Sequence, residues 1–143
     1  MTLLDLLAIA AMLTGTPILP ELPGVEYQTQ VEMRDWLSET RDLPEGSRIG
    51  AVYHEGTIHL PAGTDLTDTR HRSFVLHELV HHLQREAGAI MDPDPCVSPI
   101  EREAYAVQFA FLESRGIADP IKWLDMDPWL HLKQTKCLMD DLA

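Results

Sequence analysis

The residues best suited to chemistry lie in the stretch "VLHELVHHLQ", residues 75–84. His77 and His81 are four residues apart, so on an α-helix they project from the same face about one turn apart. Two imidazole nitrogens placed in this way can bind one zinc ion at about 2.0–2.1 Å. Glu78 follows the first histidine directly, so it flanks such an ion without binding it. There its carboxylate can take a proton from a water bound to the metal.

A third histidine in the stretch, His82, points about 100° away from the line that joins the other two. We interpret His82 as a packing or surface histidine and not as a ligand. Three imidazoles on an apolar helix would be costly to bury without partners, and a metal gives two of them a role. Tyr53 and Tyr105 are candidates for stabilising a developing oxyanion, with the packing of a half-buried aromatic ring as the alternative.

The elements that must position these residues can be predicted around the motif. A helix is expected to begin at Asp68, as its N-cap, and to end before Gly88. A β-hairpin is predicted directly before it, in "RIGAVYHEGTIHLPAG", residues 48–63, with a turn at Glu55 and Gly56. Directly after it, the prolines of "AIMDPDPCVSP", residues 89–99, predict a loop or lid. A second helix is expected over "IEREAYAVQFAFLESRG", residues 100–116.

The remaining segments predict further helices. The opening "MTLLDLLAIAAMLTGTPILP", residues 1–20, has an apolar run too short to span a bilayer, and no Lys or Arg precedes that run. We interpret it as a buried first helix, with a cleaved leader as the alternative, and expect no stable membrane insertion. Residues 31–39 predict a second helix, and residues 119–141 one or two short helices around Pro128.

Composition restricts the classes of partner. The 143 residues, of which 45% are hydrophobic, predict one domain over residues 1–143. The 11 basic and 23 acidic residues give a net charge of −12, which opposes binding to nucleic acid and to anionic membranes and weakly favours basic or neutral peptides. Cys96 and Cys137 could form one disulfide or stay as two thiols, so they do not fix the compartment. The sequence does not determine the oligomeric state.

The motif and the helix after it resemble the gluzincins, zinc metallopeptidases in which a glutamate from a following helix joins the two histidines. The likeness rests on His77, Glu78, His81 and "EREAY", residues 101–105. It is closest to the smallest members, the minigluzincins, and covers about residues 48–115. This resemblance implies a compact, mainly helical α+β zincin-like domain with a small β-hairpin or sheet beside the motif helix, one Zn2+ and a peptide or protein substrate. Many relatives have an aspartate four residues after the ligand glutamate, where this chain has Tyr105.

Two glutamates, Glu101 and Glu103, are candidates for the third ligand. They point roughly 200° apart on a helix, so only one of them can face the zinc. An alanine follows each of them three residues on, and periodicity therefore does not decide. Four residues after Glu101 stands Tyr105, whose hydroxyl could hydrogen-bond a ligand or substrate, whereas Val107 follows Glu103 and offers no such group. We predict Glu101 as the ligand, with Glu103 as the alternative.

The expected function is zinc-dependent hydrolysis of peptide bonds, by a zinc-bound water that Glu78 activates. The strand near residues 58–60 is expected to be an edge strand that pairs with an extended substrate. The alternative is a zinc-binding regulatory or interaction module with the same fold and no general peptidase activity, which the small size of the chain favours. A purely structural zinc is disfavoured, because such sites are usually closed sets of four ligands rich in cysteine.

Overall fold

The described part of the protein combines helices with a small sheet, as predicted. The structure is a computed structural model and describes residues 1–39, 43, 46, 48–89 and 98–127. Along the chain the elements are α1 (Leu3–Thr14), β1 (Gly24–Gln28), α2 (Gln30–Leu37), β2 (Val52–His54), β3 (Thr57–Pro61), α3 (Thr69–Glu86), α4 (Ser98–Ser114) and α5 (Pro120–Trp123). The fold class is therefore α+β.

The strands form one sheet in the order β1-β3-β2. The predicted hairpin is confirmed: β2 and β3 pair antiparallel across Glu55 and Gly56, whose φ angles of 46° and 86° suit a two-residue hairpin turn. β1 was not predicted, and it pairs parallel with β3. Because β1 and β2 flank β3, the expectation that the strand at Ile58 to Leu60 is an edge strand is wrong. β2 is the edge strand on the side of the motif helix.

The first helix is buried, as expected. Thr2 and Asp5 begin α1 with reciprocal hydrogen bonds between side chain and backbone, and Gly15 ends it in the left-handed conformation, with φ of 72°. One face of the helix is removed from solvent against α3. Its buried residues are Leu6, Leu7, Ala10 and Ala11.

The motif helix has the predicted ends. The side chain of Asp68 accepts a hydrogen bond from the backbone of His71 at the start of α3, and Gly88 follows its last turn with φ of 78°. The apolar side of α3 lies in the main core, where it meets α1 and α4. Its buried apolar residues are Val75, Leu76, Leu79, Val80 and Leu83. This burial fixes the rotation of α3, and so the direction in which the motif histidines point.

The second motif helix begins earlier than predicted. α4 starts at Ser98, so Pro99 lies in its first turn, where the missing proline N–H leaves no hydrogen bond unmade. The predicted loop therefore ends before Ser98. Its residues 90–97, with Cys96, lie outside the described residues, as do residues 128–143, with Cys137. Within the described ranges, none of the helices has the length and apolarity needed to cross a membrane.

Candidate metal centre

α3 and α4 pack side by side and bring His77, His81 and Glu101 together. His81 Nε2 lies 2.7 Å from Glu101 Oε1, and His77 Nε2 lies 3.5 Å from Glu101 Oε2. One nitrogen or oxygen atom from each of the three side chains lies within 4.8 Å of the other two. In the described part of the chain, this is the group of three His, Cys, Asp or Glu side chains that could hold a metal ion.

The three side chains fit a zinc ion in both chemistry and spacing. Two imidazole nitrogens and one carboxylate oxygen are a ligand set of catalytic zinc, with the fourth position left open. Two atoms that each lie about 2.1 Å from a tetrahedral ion are roughly 3.4 Å apart. The 3.5 Å between His77 and Glu101 matches this spacing. The 2.7 Å between His81 and Glu101 is the length of a charge-assisted hydrogen bond.

Two glutamines hold the ring nitrogens that face away from Glu101. The amide oxygen of Gln108 lies 2.8 Å from His77 Nδ1, and that of Gln84 lies 2.8 Å from His81 Nδ1. An amide oxygen only accepts hydrogen bonds, so each Nδ1 is the donor. The other nitrogen of each ring, Nε2, is then the one that faces Glu101, as a metal ligand requires.

The glutamine amides are themselves fixed by further hydrogen bonds. Gln108 Nε2 donates to Ser73 Oγ at 3.3 Å, and Ser73 Oγ donates to the carbonyl of Arg70 at 2.8 Å. Gln84 Nε2 donates to the carbonyl of Ile100 at 3.0 Å, and so connects α3 to the first turn of α4. Both glutamines are buried. Their side chains therefore hold the imidazoles in one orientation.

The sequence contained weak signals for these two glutamines. Gln84 stands three residues after His81, and Gln108 stands seven residues after Glu101, so each shares a helix face with its neighbour in the site. No sequence pattern predicted their roles. The hydrogen bond that holds His77 comes from Gln108, whereas the sequence had drawn attention to Tyr105.

The structure places Glu101, and not Glu103, beside the imidazoles. Glu103 is exposed, and its Oε1 accepts a hydrogen bond of 3.0 Å from Gln84 Nε2. Tyr105, on which the choice of Glu101 was based, contacts the site with its ring, which meets the His77 ring edge-on at 4.5 Å between centroids. Glu101 thus lies where it was predicted, and its binding of a metal stays a prediction.

Burial and close charges set the protonation of the pair formed by His81 and Glu101. Burial acts to lower the pKa of His81, but the hydrogen bond to Glu101 and the carboxylate charges of Glu78 and Glu101 outweigh it and raise that pKa to about 9. Burial acts to raise the pKa of Glu101, but hydrogen bonds from His77 and His81 hold it well below its usual range. At neutral pH an imidazolium therefore meets a carboxylate, and a metal that binds here displaces a proton.

Glu78 lies next to this group and outside it, as predicted. Its Oε2 accepts a hydrogen bond of 3.0 Å from the backbone N–H of Tyr53 on β2. Burial raises the pKa of Glu78, partly opposed by the charges of His77 and His81. Together with His77 and Tyr105, Glu78 lines a pocket of about 190 Å³. The site therefore offers a carboxylate with increased proton affinity at the wall of a small pocket.

His82 is a packing histidine, as predicted. It is buried, its Nε2 lies 2.7 Å from the carbonyl of Glu21, and its Nδ1 lies 2.9 Å from the hydroxyl of Tyr53. This contact directs the Tyr53 hydroxyl to His82, so the structure does not place it as an oxyanion donor. Tyr105 lines the pocket beside Glu78 and keeps that candidate role.

Comparison with known proteins leads to a family and to no relative of known activity. No curated protein and no solved structure matches this chain. A family model described as a domain of unknown function, DUF6647, matches residues 7–141, which include every residue of the candidate metal centre. The chain therefore belongs to the DUF6647 family.

Proposed function

We propose that this protein is a zinc-dependent metallopeptidase with a zincin-like fold, in which His77, His81 and Glu101 bind zinc and Glu78 transfers protons. The observation that carries the proposal is the convergence of both Nε2 atoms on Glu101, with Glu78 beside them at the wall of a pocket. When bound, zinc lowers the pKa of water and polarises the carbonyl of a peptide bond.

Glu78 has the environment that a general base needs. Burial raises the pKa of Glu78, so this carboxylate takes up a proton more readily than an exposed one. The N–H of Tyr53 fixes one carboxylate oxygen and so the orientation of the group. Glu78 would accept the proton of the attacking water and pass it to the leaving amine.

The edge strand β2 is suited to align a peptide at this site. The N–H of Tyr53 points to Glu78 and away from β3, so the outer edge of β2 faces the candidate centre. In an extended strand the backbone groups two residues earlier, at Ala51, are directed to the same edge. We therefore propose β2, in place of the strand at residues 58–60, as the strand that pairs with an extended substrate.

A zinc-binding regulatory or interaction module is the second candidate. The observation that favours it is the pocket beside Glu78, whose volume of about 190 Å³ is below the 300–1,000 Å³ usual for ligand sites. A closed or narrow site would hold zinc without admitting a general substrate.

A peptide library distinguishes the two candidates. The zinc-loaded protein is expected to cleave members of a mixed library, and Glu78→Gln should remove cleavage while the zinc content stays the same. The matched control is Glu113→Gln, on the exposed side of α4, which should leave cleavage unchanged. Cleavage that persists in Glu78→Gln contradicts the mechanism, and a zinc-loaded protein that cleaves no peptide supports the module.

A further inference from the structure

A second and larger pocket, of about 480 Å³, lies beside the pocket at Glu78. Gly50, Phe74 and Met126 line both pockets, so the two are neighbours along one surface. At this shared border the backbone of Gly50 lies close to Phe74, because a Cβ at position 50 would be 2.7 Å from the Phe74 ring. A molecule bound at the candidate metal centre can therefore extend into the larger pocket.

The charged and titratable groups that line this larger pocket are basic. They are Arg48, Arg70 and His71, and its described lining includes no Asp or Glu. The Nδ1 atom of His71 accepts a hydrogen bond of 2.9 Å from the backbone N–H of Asp65, so the neutral ring has its proton on Nε2 and offers a donor. We call this larger pocket the arginine pocket.

Arg70 is held rigidly in this wall. Its two terminal nitrogens donate to the carbonyls of Trp123 and Leu124 at 3.1 and 2.9 Å. Its guanidinium also lies 5.8 Å from the ring centroid of Phe74 and 5.7 Å from that of Trp123. A fixed guanidinium loses little conformational freedom when it binds a carboxylate.

Among the residues that the structure describes, no carboxylate pairs with the positive charges of the arginine pocket. In the described ranges of the chain, neither Arg48 nor Arg70 forms an ion pair with a carboxylate, although the protein has 23 acidic and 11 basic residues. The carbonyls that Arg70 contacts carry only partial charges. The electrostatic attraction of these two side chains therefore remains for a ligand.

We propose that the arginine pocket binds a carboxylate of the substrate and selects peptides that carry an acidic side chain or a free C-terminus beside the bond to be cleaved. This proposal rests on the proposed peptidase function. The net charge of −12 alone predicted the opposite preference, for basic or neutral peptides. Charges further away than about 10 Å are largely screened at ordinary ionic strength, whereas the two arginines line the pocket itself.

Peptide binding to zinc-loaded Glu78→Gln protein tests the proposal without turnover. The probes are acetyl-Ala-Ala-Asp amide against acetyl-Ala-Ala-Asn amide, for an acidic side chain, and acetyl-Ala-Ala-Ala with a free C-terminus against its amide. We expect at least one carboxylate probe to bind about tenfold more tightly than its neutral partner, because a charge-assisted hydrogen bond is roughly twice as strong as a neutral one. The probe that shows the difference identifies the source of the carboxylate.

Substitutions of the two arginines then test whether the preference for carboxylate probes arises in the arginine pocket. Arg48→Gln, at an exposed residue, and Arg70→Met should each reduce the preference at least about threefold, in line with the loss of a charge-assisted contact. Lys122→Gln removes an exposed charge from α5, outside the arginine pocket. This variant should leave the preference for the carboxylate probe unchanged. Because Arg70 also fixes α5, Arg48→Gln decides the result if Arg70→Met fails to fold.

The outcomes separate this proposal from the proposed function. Equal binding of charged and neutral probes, no binding of either, or an unchanged preference in Arg48→Gln overturns the carboxylate pocket. If the wild-type protein cleaves peptides and shows no preference, the pocket proposal alone fails. If the preference is present and no peptide is cleaved by the zinc-loaded protein, the pocket stands as a carboxylate site and the peptidase function fails.

Discussion

The two sides of α3 use histidine in opposite ways. On the side that faces α4, the rings of His77 and His81 donate through Nδ1 to glutamine amides and direct Nε2 to Glu101. On the other side, His82 must donate through Nε2, because its partner there is the carbonyl of Glu21. The Nδ1 atom of its neutral ring then accepts from the Tyr53 hydroxyl.

This difference separates the two proposed metal ligands from the packing histidine. All three rings are buried, so burial does not distinguish them. Both nitrogens of His82 form hydrogen bonds with neutral protein groups, so this ring has a packing role. The other two rings have one nitrogen held by a neutral amide and the other beside a carboxylate, which is the arrangement that favours a cation.

The largest expected effect on zinc affinity comes from the two rings that face α4. His77→Ala or His81→Ala should weaken zinc binding more than about 100-fold, beyond the range of changes at supporting residues, because a ligand itself is removed. His82→Ala is the matched control on the same helix and should keep the wild-type affinity. Competition with a zinc chelator measures all three variants. Equal losses in the three would show that the two sides of α3 do not differ in this way.

The two glutamates of α4 extend the comparison to the second helix. Glu101→Ala should lose zinc about as severely as the histidine variants, because its carboxylate lies 2.7 Å and 3.5 Å from the two Nε2 atoms. Glu103→Ala removes only an exposed partner of Gln84 and should change the affinity less than about tenfold. The same chelator competition applies. If only Glu103→Ala loses zinc, the assignment of the third ligand is reversed.

Smaller losses of zinc affinity are expected when the glutamines that orient the rings are replaced. Gln108→Ala and Gln84→Ala should each weaken zinc binding about 10- to 100-fold, as is typical of residues that hold metal ligands in place. Nitrogen NMR of the histidine side chains provides a second readout, because the Nδ1–H form of the affected ring should lose its preference. Wild-type zinc affinity with unchanged histidine spectra in both variants would mean that the amides play no part in orienting the rings.

The smallest effect on zinc and a clear effect on stability are expected at His82. His82→Ala leaves the Tyr53 hydroxyl and the Glu21 carbonyl without this partner, which should reduce the free energy of unfolding by about 1–3 kcal/mol. Urea unfolding of the metal-free protein measures this loss. A large decrease in zinc affinity at unchanged stability would assign His82 to the metal centre instead.

Helical periodicity predicted the α3 side of the site well. The four-residue spacing of His77 and His81, the cap at Asp68 and the end at Gly88 are local signals, and each is where the pattern placed it. Whether Glu101 or Glu103 faces α3 depends on the rotation of α4, which the packing of its buried residues sets. The choice of Glu101 agrees with the structure, but Tyr105 meets His77 through its ring and Gln108 provides the hydrogen bond.

The sheet was harder to predict, because its order depends on contacts distant in sequence. β1 follows Pro23 and is mostly exposed on both faces, so it lacks the alternation of buried and exposed residues that indicates a strand. Without β1, the hairpin alone gives no reason to place β3 in the centre of the sheet. The edge position was therefore assigned to β3 and not to β2. The contacts of Gln108 with His77 and Ser73 likewise join residues 31 and 35 positions apart, which no local pattern reveals.

Anomalous diffraction at the zinc absorption edge, from crystals of the protein reconstituted with one equivalent of zinc, tests the central claim most directly. We predict one strong peak between His77 Nε2, His81 Nε2 and the carboxylate of Glu101, with Glu78 beside the ion and not bound to it. Crystals of His82→Ala, reconstituted with zinc in the same way, should show the same peak. A folded protein with no peak at this position, or with its zinc bound elsewhere, would contradict the account.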